Sequence, residues 1–499
     1  MSHHPFYPIV YVRGYAMTQS EVEDTAADPY MGFNLGSTKL RQRWTGDIDR
    51  YIFESPLIRL MKDYNYEDAF SEGVELSGDK PIPWRTVWVY RYYEQVSRDL
   101  GEGKRPEIEV YAEGLGDFLR DMRDKICGDD AAARNEFRVY LVAHSMGGLV
   151  VRCWLQNTCE QESDPVGIEK IYTYATPHGG IDVRFLGNVP RFVQINNTEN
   201  FNESRMRDYM KISPAEPVHS LDGKFDTRRF FSLVGTDSRD YKVAHGLSRA
   251  AVGPMSDGLV QIKNAYVRGG PRAFVHRSHS GHFGIVNSEE GYQNMRRFFF
   301  GEFELYGVLY ISDLALPAKI EAAKKKGKDV RASYHTEVIA RVRDSRWDLH
   351  RRTMDEESAI FVKYDKAVKQ GKGITLFSAF LSRALINKNS RYVGFSIDLR
   401  VLVPEYTVGK KYFFDDHYDG AYLFRDKLNL LLGRDTQGNV HIKYGWDNRN
   451  GANRAGREAQ VSSKNDNEWS CEIPVVNKSK PGINAVLALQ LFDHGQKSM

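Results

Sequence analysis

The stretch from Phe137 to Arg152, FRVYLVAHSMGGLVVR, constrains the fold of this chain more than any other. It opens as a short run of β-branched and aromatic residues, the composition of a buried strand. From Gly147 onward Leu149, Val150, Cys153 and Trp154 recur at helical spacing. Ser145 therefore falls on a sharp turn between a strand and a helix. The small residues Ala143 and Gly147 on either side let the two elements pass closely. Such a turn lifts a serine hydroxyl above the edge of a sheet. Taken alone, Ala143-x-Ser145-x-Gly147 is equally a plain strand–helix connection, so the rest of the chain has to decide.

Around this stretch the strands and helices alternate. Strands are expected at Pro8–Tyr15, Arg85–Tyr92, Ile168–Ala175, Arg229–Gly235 and Pro271–Val275. A helical period runs from Ile108 to Cys127. Asn287 and Glu290 suit the N-cap and third position of a closing helix with Tyr292, Met295 and Phe299 inside. Alternation over about 300 residues implies a mostly parallel, doubly wound α/β sheet. Two long insertions interrupt it, at about 16–84 and 181–228. In the first, Tyr51–Met61 has the pattern of an amphipathic helix broken at Pro56. The apolar parts at 31–61 and 181–210 are expected to line or cover a site.

Beyond about residue 305 the pattern becomes strand-rich with turn residues between, as in an antiparallel sandwich. With 499 residues, two domains are expected, 1–305 and 306–499. The basic run 322–328 is expected to be a solvated loop. Asp415, Asp416 and Asp419 are expected in a solvent-facing turn, since their spacing follows no calcium-loop pattern.

The formal net charge of +3 is small for this length and gives no case for nucleic acid as a partner. The four cysteines form no CxxC pair and are expected as free thiols in a reducing compartment. No basic-then-apolar leader and no bilayer-length apolar run is seen, which suggests a cytoplasmic protein. Export without a cleaved signal is compatible with the same features.

A serine hydroxyl attacks only when a base takes its proton. The base is usually a histidine oriented by a carboxylate, with backbone donors facing the developing oxyanion. Downstream of Ser145, Asp257 in Met255-Ser-Asp-Gly-Leu-Val260 is the preferred acid, with Asp237 at the end of the Arg229–Gly235 strand as runner-up. His279 and His282 both follow the last strand and precede the closing helix. The cluster His276, His279 and His282 lacks the cysteine or carboxylate at ligand spacing that a metal tract would carry.

Residues 1–305 resemble the lipase and esterase branch of the α/β-hydrolase family. Ala143-His-Ser-Met-Gly-Gly148, Ala175-Thr-Pro-His-Gly-Gly180 and Ser256-Asp-Gly-Leu-Val260 carry the resemblance. It implies that Tyr15 and Met146 donate backbone N–H groups to the oxyanion. The chain departs from the pattern at Arg13, where lipases usually have His before Gly. The resemblance fits His282 through the apolar residues that follow it, and His279 through His-Ser-Gly and the later Gly-Ile-Val-Asn-Ser; His279 is slightly favoured.

The implied activity is hydrolysis of carboxylic esters through an acyl-enzyme, on an acyl-ester or lipid substrate, with no cofactor and with contact to a lipid interface as a further expectation. An acyltransferase, thioesterase or phospholipase would use the same residues. A reading from another class makes the β-rich region a lipid- or partner-binding module.

Overall fold

A computed structural model describes residues 3–14, 32–69, 82–92, 107–181, 201–239, 255–281, 284–343, 345–367, 372–383, 392–409, 416–434, 437–448 and 456–494. Tyr15, Met31, His282, Asp415 and the apolar residues expected at 185–195 lie outside these. The chain divides into two compact units, Met1–Phe300 and Gly301–Met499.

The first unit runs β1 (Ile9–Val12), β2 (Ser37–Gln42), β3 (Ile48–Phe53), α1 (Pro56–Tyr64), β4 (Glu67–Asp68), β5 (Thr86–Tyr90), α2 (Ile108–Cys127), α3 (Ala131–Glu136), β6 (Arg138–His144) and α4 (Gly147–Gln156). Then follow β7 (Gly167–Tyr174), α5 (Glu203–Met210), β8 (Phe230–Gly235), β9 (Arg272–Val275) and α6 (Glu289–Phe300). Seven strands form one sheet in the order β4-β5-β1-β6-β7-β8-β9. Every pairing in it is parallel. Parallel strands covered on both faces read as continuous apolar runs, which is why β1, β6 and β8 were legible.

Alternation along the strands sorts the two faces. Val139, Leu141 and Ala143 of β6 join Leu115 and Leu119 of α2 and Leu149 of α4 in one core cluster. Tyr140 and Tyr172 point the other way, toward α6. Tyr140 stacks on Phe299 at 4.3 Å between ring centres, and Tyr172 donates its hydroxyl hydrogen to Gly291 O at 3.2 Å.

Two local expectations change. Pro56 does not break a helix; it begins one. Residues 48–53 are a strand, Ser55 caps the helix by accepting from Ile58 N, and proline fits the first turn, where its missing N–H is not needed. The cap of α6 is not Asn287 with Glu290. Ser288 Oγ accepts from Gly291 N at 3.0 Å, while Glu290 takes the guanidinium of Arg277. Part of the second insertion is core: Met206, Tyr209 and Met210 of α5 are buried, and Tyr209 O accepts from Asn157 Nδ2 just beyond α4.

The second unit holds β10 (Phe303–Ala315), α7 (Ala318–Lys325), β11 (Asp329–Val342), β12 (His350–Arg352), β13 (Ile360–Lys363), β14 (Ile374–Leu381), β15 (Tyr392–Gly409) and β16 (Asp416–Arg434). It ends with β17 (Val440–Trp446), β18 (Arg457–Glu458), β19 (Val461–Asn465), β20 (Glu468–Asn477) and β21 (Gly482–Asp493). The strands form two antiparallel sheets, β14-β10-β21-β20-β19 and β12-β11-β15-β16-β17-β18, with β13 beside β11. One apolar cluster joins them, with Ile397, Leu399 and Val401 of β15 and Leu487 and Leu489 of β21, as a sandwich requires.

The basic run is not all loop. Ala318–Lys325 is helical, helped by good helix formers and by Glu321 between Lys325 and Lys480. The apolar runs Gly420–Phe424 and Leu428–Leu432 belong to one long strand, β16, and Asp416 and Asp419 lie in it rather than in a turn. The polar break Arg425-Asp426-Lys427 stays in register opposite Asp398 to Arg400 of β15.

The aromatic contact across the α6 face yields a stability prediction. Replacing Phe299 by Ala removes the ring stacked on Tyr140 and should cost about 3–5 kcal/mol. A lowered urea midpoint for the first unit would register it.

Candidate active site

Ser145 follows β6 and precedes α4, with φ at +52°. That left-handed conformation is strained for a serine, at about 1–3 kcal/mol, so its surroundings must hold it. Ser145 N donates to Tyr174 O at 3.0 Å, and Thr176 Oγ1 donates to Ser145 O at 2.9 Å. Gly147 is required by packing: a Cβ there would stand 2.3 Å from Val12 O and 2.4 Å from Arg13 O. At Gly14 a Cβ would come within 2.7 Å of His144 Nδ1 and 3.0 Å of Ser145 Cβ. The end of β1 thus closes on the serine turn from one side, and the end of β7 holds it from the other.

His279 lies on the segment after β9, and its Nε2 is 3.0 Å from Ser145 Oγ. Its Nδ1 is 2.9 Å from Asp257 Oδ2. An ionised carboxylate only accepts, so Nδ1 carries the hydrogen and Nε2 is left to accept from the serine hydroxyl. The other oxygen of Asp257 accepts from Leu259 N at 3.0 Å and Val260 N at 2.7 Å. His279 N also donates to Asp257 O at 2.9 Å, so backbone and side chain fix the pair together. His279 and Asp257 are buried, whereas Ser145 is partly open to solvent.

Of the expected residues, the structure brings Ser145, His279 and Asp257 into one chain of contacts. Asp237 is elsewhere: its carboxylate faces His276 at 3.7 Å and accepts from Arg239 N. Met146 stands at the N-cap of α4, where a helix start leaves N–H groups without intrahelical partners. Tyr15 and His282 cannot be placed among the described residues. There, no cluster of His, Cys, Asp and Glu is arranged to hold a metal ion. In the β-rich unit a cavity of about 550 Å³ is lined by residues that include Arg331, Lys363 and Glu405, with no histidine or cysteine among them.

Two buried neighbours of the candidate site carry no side-chain pattern in the sequence. His144, the last residue of β6, donates from Nε2 to His279 O at 2.9 Å. A carbonyl only accepts, so Nδ1 of this ring is bare, and no described residue bonds to it. Burial, reinforced by the nearby His279, pushes the His144 pKa down to about 3, so the ring stays neutral. The signal in the sequence was a polar residue ending an otherwise apolar strand. Arg152 on α4 is fully buried. Its guanidinium donates to His178 O, Val218 O, Ser220 O and Gln156 Oε1, and among the described residues no carboxylate pairs with it. Burial lowers its pKa to about 10.

No family model matches the chain, and no curated protein matches it. Several solved structures resemble it. A lipase of Bacillus licheniformis, BlEst2, is 17% identical with a TM-score of 0.30, covering 59% of this chain and 91% of its own. A metagenomic carboxyl esterase is 12% identical with a TM-score of 0.31, over 55% of this chain and 65% of its own. The phospholipase PlaB of Legionella pneumophila is 12% identical with a TM-score of 0.32, over 83% of this chain and 89% of its own.

The neutral His144 makes stability depend on acid. In the unfolded chain it binds a proton below its ordinary value near 6.5; in the folded chain it does not until about pH 3. Stability contributed by this group is therefore present above pH 6.5 and lost as pH falls, by about 1.4 kcal/mol per pH unit. His144→Gln, which does not titrate, should narrow its stability deficit against the wild type by about 2 kcal/mol between pH 7 and pH 5. Paired urea titrations at the two pH values measure this.

The strand order, the serine turn after the central strand and the helices on both faces give Met1–Phe300 the α/β-hydrolase fold, followed by an antiparallel β unit.

Proposed function

We propose that this chain is a serine hydrolase of carboxylic esters. The observation that carries the reading is the contact chain Ser145 Oγ–His279 Nε2 and His279 Nδ1–Asp257 Oδ2, at 3.0 and 2.9 Å, on a serine held at positive φ. A serine kept in a strained turn with its hydroxyl aimed at an oriented imidazole is arranged for nucleophilic attack.

In this mechanism Ser145 Oγ bonds to the acyl carbon as its proton passes to His279 Nε2. The developing imidazolium is held by Asp257, whose charge is itself fixed by the Leu259 and Val260 N–H groups. The carbonyl oxygen takes up negative charge facing the N–H of Met146 at the start of α4, joined in this proposal by that of Tyr15. Collapse breaks the ester C–O bond, and His279 gives its proton to the departing alkoxide. Water then attacks the acyl-serine with His279 again as base, releasing the acid and restoring Ser145. His144 acts as a positioning residue: it holds the His279 carbonyl, and with it the base, without carrying charge.

Labelling with a fluorophosphonate tests the nucleophile. Wild type should react and Ser145→Ala should not; labelling that persists in the variant would sink the proposal. Turnover of a p-nitrophenyl ester should fall by about 10⁴-fold in Asp257→Asn. His279→Ala should lose activity by about 10⁴-fold or more, with His282→Ala nearly unaffected. The reverse ranking of the two histidines would move the base to His282.

A further inference from the structure

Neighbouring strands of the core sheet end in the same unusual way. Ser145 after β6 stands at a φ of +52°, and Ala175 after β7 at +48°. A left-handed backbone is unfavourable for any residue with a Cβ and persists only where the surroundings impose it. In the proposed mechanism the turn at Ser145 serves that residue's own hydroxyl. Ala175 bears no reactive group, so its strain has to serve a neighbour. That neighbour is Thr176, which is fully buried. Its Oγ1 donates to Ser145 O at 2.9 Å, while the other acceptor within reach, Tyr174 O, is 3.5 Å away. Its own carbonyl accepts from His178 N at 2.9 Å. The helix α4 leaves room for the side chain: a Cβ on Gly148 would stand 2.2 Å from Thr176 Oγ1 and 2.6 Å from its Cγ2.

The carbonyl that Thr176 grips belongs to the peptide unit joining Ser145 to Met146. A trans peptide is planar, and its C=O and N–H point opposite ways. Fixing Ser145 O therefore fixes the direction of Met146 N–H, which finds no acceptor among the described residues. Gly148 N also donates to Ser145 O, at 3.1 Å, but it belongs to the same turn and moves with it. Thr176 is the anchor that comes from another strand. Ser145 N, on the preceding peptide unit, is held by Tyr174 O at 3.0 Å. The end of β7 thus clamps both peptide units of the serine. We infer that Thr176 is a positioning residue for the oxyanion: its hydroxyl aims Met146 N–H at the charge that develops on the acyl oxygen. This inference rests on the proposed ester hydrolysis at Ser145. It depends on the hydroxyl of residue 176 rather than on its bulk, and it acts apart from the base, whose ring is held by Asp257.

The test compares two variants of the full chain on a soluble p-nitrophenyl ester. Thr176→Val keeps the shape and loses the hydroxyl; Thr176→Ser keeps the hydroxyl. Removing an oxyanion donor outright costs about 10²–10³ in rate, and one that is loosened but still present should cost less. Thr176→Val should therefore lose about 10–100-fold in kcat, with KM within about twofold of wild type. The acid limb of its pH–rate profile should stay where it is, because the base keeps its partners. Thr176→Ser should return kcat to within about threefold of wild type. Thr176→Ala takes the place of the valine variant if that one does not fold. A valine variant with wild-type kcat, a serine variant as slow as the valine one, or a shifted acid limb overturns the inference. No turnover by wild type, or turnover that survives Ser145→Ala, removes the hydrolase reading and this inference with it, an outcome distinct from the failures above.

Discussion

The closeness of the turn at Ser145 to the carbonyls that end β1 governs the site. Gly147 passes so near Val12 O and Arg13 O that no side chain fits. Because the helix start is pinned there, the serine before it has to adopt a left-handed backbone, and its hydroxyl is thrown clear of the sheet. The hydrogen bonds from Ser145 N to Tyr174 O and from Thr176 Oγ1 to Ser145 O hold that geometry from the next strand. Three neighbouring strands thus determine one hydroxyl, and the energy of the strained residue is supplied by packing that lies outside the residue itself.

The same economy holds the proposed base. His279 is bound at both ends: its ring by Asp257, its backbone carbonyl by His144 and its backbone N–H by Asp257 O. A charged His144 at this place would repel a protonated neighbour in a buried setting. Keeping it neutral lets a second imidazole sit 5.1 Å from the first without like-charge repulsion.

Much of the first unit was legible because parallel strands are apolar along their whole length and their helices have a clean period. The candidate acid and base are narrowed to two residues each by chain order, and which carboxylate meets His279, the one of the two histidines among the described residues, depends on which loop folds over which strand. Asp257 and Asp237 both follow β8; only the turn stabilised through Leu259 and Val260 faces His279. Local misreadings came from residues with two uses. Pro56 breaks a helix interior yet starts a helix well, and Asn287 beside Ser288 offers two caps where one is used. Arg425-Asp426-Lys427 looks like a turn, but its charges lie opposite Asp398 and Arg400 on a continuous strand. His144 and Arg152 were missed because their partners are backbone carbonyls, which no side-chain pattern announces.

Arg152 has a consequence for how the first unit reaches its final form. A guanidinium with no carboxylate beside it is tolerable in the interior only while several oxygens face it at once. Here they come from His178, from Val218 and Ser220, and from Gln156 on its own helix. An intermediate in which α4 has docked but the 218–220 segment has not would strand a cation among apolar side chains. Such half-assembled states are raised in energy, so the closing steps of this unit become concerted. A serine turn formed ahead of its surroundings is then a species the chain rarely visits.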